Sequence, residues 1–159
     1  MPDMLVKLYE LGDVHGPLKE LEAKGVRVRR ALPPERHIVV DWVRQHFSAG
    51  WASECEVAFG QVPVTCFIAT SGQELLGFGC YDTTCKDFFG PTGVREDVRG
   101  RGIGKGLLLA CLDAMRAQGY AYAIIGWAGP VEYYRKVVGA TVIEGSSPGI
   151  YAGMLRSPS

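Results

Sequence analysis

The chain has 159 residues, enough for one domain that buries a sizeable core without disulfide or metal staples. Lys plus Arg and Asp plus Glu both number 17, so the net charge is zero and no overall basic field is available to attract nucleic acid. Apolar residues make up 47% and charged residues 21%, the balance of a soluble globular protein, and no apolar run approaches the ~18 residues of a membrane span.

Five cysteines (Cys55, Cys66, Cys80, Cys85 and Cys111) form an odd set without C-x-x-C spacing. That speaks against a disulfide framework or a metal site and for reduced thiols in a cytoplasmic protein. Cys66, Cys80 and Cys111 lie in apolar runs and read as small core residues. The first ten residues carry Asp3, Lys7 and Glu10 and show no apolar h-region, so no signal peptide is expected.

Residues 1–25 read as an N-terminal accessory segment packed on the domain of residues 26–159. Residues 4–8 suit a short strand. Gly16-Pro17 opens a helix that runs through Lys24, with Pro17 at its first position and Gly25 closing it. The alternation from Val26 to Arg29 predicts a strand, which Pro33-Pro34 breaks. Helical spacing follows over residues 35–47 and again over residues 51–59. Residues 64–69 and 75–81 form a hairpin pattern around Thr70-Ser71-Gly72-Gln73. Residues 88–94 are a further strand, where Gly90-Pro91 and Gly93 predict a bulge or local opening. A long apolar helix runs to about Gln118 and stops at Gly119. The continuous apolar run 121–127 predicts a central strand buried on both faces. Pro130 opens a short helix that Gly139 closes, and residues 141–144 and 150–155 are read as two final strands.

The stretch from Arg99 to Lys105 packs Gly100, Gly102, Gly104 and the cations Arg99, Arg101 and Lys105 directly ahead of the long helix. N–H groups at a helix start have no intrahelical acceptor, and glycines let a ligand approach them closely. Together with the helix dipole and the cations, they describe a site for a phosphate-bearing ligand. A Walker-type loop fails here, because the positions needing glycine and Ser or Thr hold Arg99 and Gly106. A G-x-G-x-x-G fingerprint fails too, since its third glycine would fall on Lys105 or Leu107. The pattern R-x-x-G-x-G fits, as Arg99, Gly102 and Gly104 between a strand and a helix. It resembles the acetyl-CoA pyrophosphate loop of the GNAT superfamily of N-acetyltransferases, and the element order from Val26 to Arg156 is similar to that fold.

The resemblance implies an α/β fold with a mixed, mostly antiparallel central sheet of six to seven strands flanked by about four helices. It implies that acetyl-CoA, as acetyl donor, is bound by Val94, Arg99, Gly100, Arg101, Gly102, Ile103, Gly104 and Lys105. Val94 would act through its backbone, on a strand that splays from its neighbour. In the second family motif, Tyr133-Tyr134-Arg135-Lys136 stand in the matching positions. Tyr134 takes the place of the general acid for the departing thiolate, and Tyr133 takes an apolar slot. The sequence departs from the family pattern at Trp127, where an asparagine is usual, and at Pro130; backbone groups of Ala128 or Gly129 are the available substitutes. Asp82, at the end of the third strand of the main domain, is taken as the general base, with Glu54 and Glu56 as alternatives. Trp51, Phe59 and Tyr81 suit an acceptor pocket or core packing equally. The expected activity is direct transfer of acetyl to a primary amine of a small molecule or peptide, with no metal, nucleic acid or membrane involved and with a homodimer admitted. The alternative is a non-catalytic acyl-CoA-binding sensor.

Overall fold

A computed structural model describes residues 1–158. In chain order the elements are β1 (Met4–Lys7), α1 (His15–Ala23), β2 (Arg27–Arg30), α2 (Arg36–His46), α3 (Ala49–Phe59), β3 (Cys66–Ser71), β4 (Glu74–Tyr81), β5 (Phe88–Val94), α4 (Ile103–Gln118), β6 (Tyr122–Ile125), α5 (Val131–Val138) and β7 (Thr141–Val142), with short 3-10 turns between some of them. The strands form one sheet in the order β2-β3-β4-β5-β6-β1-β7. Every neighbouring pair is antiparallel except β5 and β6, which run parallel. The expected mixed, mostly antiparallel sheet is therefore present with seven strands, and five helices pack on it among the described residues.

The two faces of the sheet are covered differently. On one face α4 crosses β2 to β6, with α1 beside it. Its side chains Leu108, Cys111, Leu112 and Met115 join Met4, Val6, Leu8 and Tyr134 in one buried cluster. On the other face α2 and α3 pack over β3, β4 and β5 and bury Val39, Val43, Cys55, Ile68 and Phe78. Cys55, Cys66 and Cys80 meet in that second cluster, their sulfurs within 4.8 Å of one another. Cys66, Cys80 and Cys111 are fully buried, as read from their apolar surroundings. No helix among the described residues is long and apolar enough to cross a membrane.

Residues 4–8 are strand up to Lys7, and this strand sits inside the sheet, between β6 and β7. Met4, Val6 and Leu8 are each 0% exposed. Helix α1 begins at His15, two residues ahead of Pro17, because the Asp13 carboxylate accepts the N–H groups of His15 and Gly16 at 3.1 and 3.2 Å.

Two strand expectations are corrected. Residues 150–155 are not a strand; Gly149–Tyr151 is a single 3-10 turn, and Gly149 and Gly153 take positive φ, which extended backbone excludes. The run 121–127 yields only Tyr122–Ile125, buried on one face through Ala123 and Ile125, while Tyr122 is 44% exposed. α2 and α3 pack over β3 to β5, which leaves the second face of β6 without a helix.

Candidate functional site

The sheet opens between β5 and β6. The two strands pair only at Phe88 with Ile124 and Phe89 with Ile125. Gly90 then takes φ 121° and Pro91 has no N–H to give, so pairing with β6 cannot continue. Thr92, Gly93 and Val94 stay paired to β4, opposite Gly79, Phe78 and Gly77, after an irregular step in register. The N–H of Arg95 points to β4, where it donates to the Leu76 carbonyl at 2.8 Å. Backbone directions alternate along a strand, so the N–H and C=O of Val94 and Thr92 face the gap. The opening expected from Gly90-Pro91 is thus present, and it leaves strand donors without a strand partner.

That gap is a cleft of about 730 Å³. Phe47 and Trp51 line it from the α2–α3 side of the sheet, and Leu108 and Tyr134 line it from the α4 side. The cleft is therefore a slot through the sheet. Gly93 has no Cβ because the Phe47 ring occupies that space. Phe47 is held there by edge and tilted contacts to Trp42, Trp51 and Phe78, with centroids 5.1–5.8 Å apart.

One mouth of the slot is the predicted phosphate loop. Arg99, Gly100, Gly102, Ile103, Gly104 and Lys105 all line it. Gly102 caps α4 with φ 84°, a left-handed conformation that turns the chain into the helix. Its carbonyl accepts the N–H of Gly106 at 3.0 Å, and no side chain caps the helix. The N–H groups of Ile103, Gly104 and Lys105 are left free for a ligand. The Arg99 Nε donates to the Val94 carbonyl at 3.1 Å, tying the loop to β5 while its other guanidinium nitrogens remain available. Arg101 is exposed and does not line the slot.

Tyr134 lies in the wall of the same slot, 7% exposed, on α5. Among the described residues its hydroxyl has no hydrogen-bond partner. Burial, and secondly the neighbouring Tyr133, push it up to about 12, so the phenol stays protonated at neutral pH. Tyr133 meets it edge-on at 5.3 Å and also lines the slot, which its apolar assignment did not anticipate.

The structure does not bring Asp82 to the slot. Its positive φ of 55° turns it into the β4–β5 turn, where it accepts the N–H of Asp87 at 2.7 Å and the hydroxyl of Tyr120 at 3.1 Å. Burial and the Asp82 charge raise Asp87 to about 6. Phe59 and Tyr81 are core residues, with Tyr81 bonded to Arg30 at 2.7 Å, whereas Trp51 does face the slot. The Ala128 N–H is already committed to the Pro2 carbonyl at 2.7 Å, and the Trp127 N–H to Asp3 at 2.8 Å. Of the two backbone substitutes, the Ala128 N–H is thus taken, and the Gly129 carbonyl accepts the Val131 N–H at 3.0 Å. Glu56 meets Arg36 and Arg44 at 3.7 and 3.9 Å. Phe47 also lines the slot, a role that its place on the apolar face of a helix conceals in the sequence.

Comparison with known proteins adds to this geometry. The profile of the Acetyltransferase (GNAT) family matches residues 36–139. The fold is similar to the GCN5-related glucosamine N-acetyltransferase region of a fungal multi-domain GH3 beta-N-acetylglucosaminidase, with a TM-score of 0.73 and 14% identity over 89% of this chain and 19% of that one. It is similar to a GCN5-related N-acetyltransferase from Sphaerobacter thermophilus, with a TM-score of 0.61 and 19% identity over 89% of this chain and 48% of the other. A GNAT family acetyltransferase from Brucella melitensis, solved in complex with acetyl-CoA, gives a TM-score of 0.52 and 16% identity over 74% of this chain and 86% of that one. The chain spans less than half the length of the first two. No curated protein sequence matches it.

Proposed function

The chain belongs to the GNAT acetyltransferase family, and from that premise we propose that it transfers the acetyl group of acetyl-CoA directly to a primary amine of a small molecule or peptide. The observation that carries this reading is the slot between β5 and β6, which has free helix-start amides at one mouth and Tyr134 in its wall. Its lining is mostly apolar with a few convergent polar groups, as a small-molecule site requires.

The diphosphate of CoA sits on the N–H groups of Ile103, Gly104 and Lys105, with Gly100 and Gly102 clearing the approach and Arg99 and Lys105 supplying charge. Arg101 adds charge from the rim. The pantetheine arm follows Thr92 to Val94 as if it were the missing strand. The Val94 N–H, which faces the gap, donates to the thioester carbonyl and stabilises the oxyanion that forms there. The neutral amine attacks the carbonyl carbon, the C–S bond breaks, and the thiolate takes the proton of the Tyr134 hydroxyl. The proton shed by the amine leaves to water, which restores the phenol. A phenol held protonated by burial suits this task.

Thiol release from acetyl-CoA, followed together with the mass of each amine in a panel, tests the reading. Transfer appears as one acetyl group gained per thiol released. Tight acetyl-CoA binding with no amine acetylated would point instead to a sensor.

A further inference from the structure

Three sulfurs meet on the side of the sheet that α2 and α3 cover, and none of the three cysteines lines the slot. Cys66 and Cys80 stand directly opposite each other on β3 and β4, so their side chains leave the same face of the sheet as neighbours. Cys55 comes down on them from α3. One turn to either side of it on that helix are Ala52 and Ala58, each 0% exposed, and these short side chains let the helix lie close to the strands. The three Sγ atoms all lie within 4.8 Å of one another, and all three cysteines are fully buried. A lone buried cysteine is ordinary packing, and Cys111 on the other face of the sheet is one. Three sulfurs brought together by α3, β3 and β4 form a ligand set.

Their spacing is close to what one metal ion demands. Three sulfurs each about 2.3 Å from a shared ion stand about 4 Å apart, so a shift of under about 1 Å closes the set. The donors then select the ion. Only sulfur is offered, because among the described residues no carboxylate or imidazole joins the three. The surrounding cluster is hydrocarbon, chiefly Val39, Val43, Ile68 and Phe78. Structural zinc takes four protein ligands, and catalytic zinc adds a water to three. This apolar site offers neither a fourth ligand nor polar partners for a water. Iron–sulfur clusters need four cysteines. Copper(I) is soft, singly charged and satisfied by three sulfurs.

We propose that Cys55, Cys66 and Cys80 bind one copper(I) ion as a three-sulfur site. Each cysteine that coordinates as thiolate releases its proton to solvent, and no electron changes hands. The long hydrogen bond from the Cys66 thiol to the Phe67 carbonyl, at 3.7 Å, is given up. The ion ties α3 to β3 and β4 and has no part in acetyl transfer.

The full chain is refolded from urea without oxygen, with copper(I) supplied as its bicinchoninate complex and unbound copper removed by gel filtration. Refolding makes the test independent of entry into a closed core. The folded parent should retain one copper per chain against the chelator, with an X-ray absorption shell of three sulfurs and no nitrogen or oxygen. Losing even an outer partner of a metal ligand costs about 10- to 100-fold in affinity, so Cys55→Ala should cost at least about 100-fold. Cys85→Ala and Cys111→Ala should keep the parental affinity. A folded parent that emerges without copper, or that holds it on any shell other than three sulfurs, overturns the proposal, and neither result needs a variant to fold. So does zinc(II) retained as tightly as copper(I), or a loss in Cys85→Ala as large as that in Cys55→Ala.

Discussion

Substitutions at Gly104 and Gly102 should separate ligand binding from folding. At Gly104 a Cβ would meet only the Val94 Cγ2, at 3.6 Å, which is ordinary contact. Gly104→Ala therefore costs nothing in packing and gains up to about 0.5–1 kcal/mol of helix propensity. That new methyl points at Val94, inside the slot, where the diphosphate must approach the backbone. Losing one N–H bond to a charged oxygen costs about 1.5–3 kcal/mol, or 10- to 150-fold in acetyl-CoA affinity, and Gly104→Val should lose more. Gly102 behaves in the opposite way. Nothing lies within 4 Å of its Cβ position, but its φ of 84° costs an L-residue about 1–2 kcal/mol. Gly102→Ala should therefore lower the melting temperature by roughly 2–8 °C. Thermal unfolding and titration calorimetry read the two effects independently. A folded Gly104→Val protein with parental acetyl-CoA affinity would refute the phosphate cradle.

Tyr134→Phe keeps the ring and its packing, so stability and coenzyme affinity should hold while turnover falls by roughly 10²–10³; steady-state kinetics beside Tyr133→Phe, which should change little, decide whether the hydroxyl acts as an acid. Asp87, raised to about 6 against an ordinary 3.8, favours its protonated form in the fold. The unfolded chain then releases that proton first, so the contribution is complete below about pH 4 and is lost as pH climbs through 6. Asp87→Asn should flatten this segment of the stability profile in urea melts, by on the order of 1 kcal/mol after solvent screening. Met4→Ala empties a fully buried site in β1 and should cost about 2–5 kcal/mol in the same melts; a loss under ~0.5 kcal/mol would mean the strand is dispensable.

The parts legible in the sequence are those whose signal is local. Three glycines and three cations in seven residues define a loop, and Gly119 and Gly139 end their helices with φ of 110° and 65°, where the sequence puts the stops. The motif that singles out Tyr134 is contiguous, and this side chain lines the slot. The position of β1 was not legible: Met4 to Leu8 alternate as a strand should, but the partners Tyr122 to Ile125 lie more than a hundred residues away, and nothing local names them. The direction of Asp82 is not legible for a related reason. A carboxylate at a strand end can point anywhere, and here its backbone turn and Tyr120 direct it away from the slot.

A crystal structure of the acetyl-CoA complex would show where the coenzyme lies in the slot. The diphosphate should lie on the N–H groups of Ile103, Gly104 and Lys105, the pantetheine between β5 and β6, and the thioester between the Val94 N–H and the Tyr134 hydroxyl. A coenzyme bound outside the slot, or one whose sulfur lies beyond reach of Tyr134, would contradict that placement.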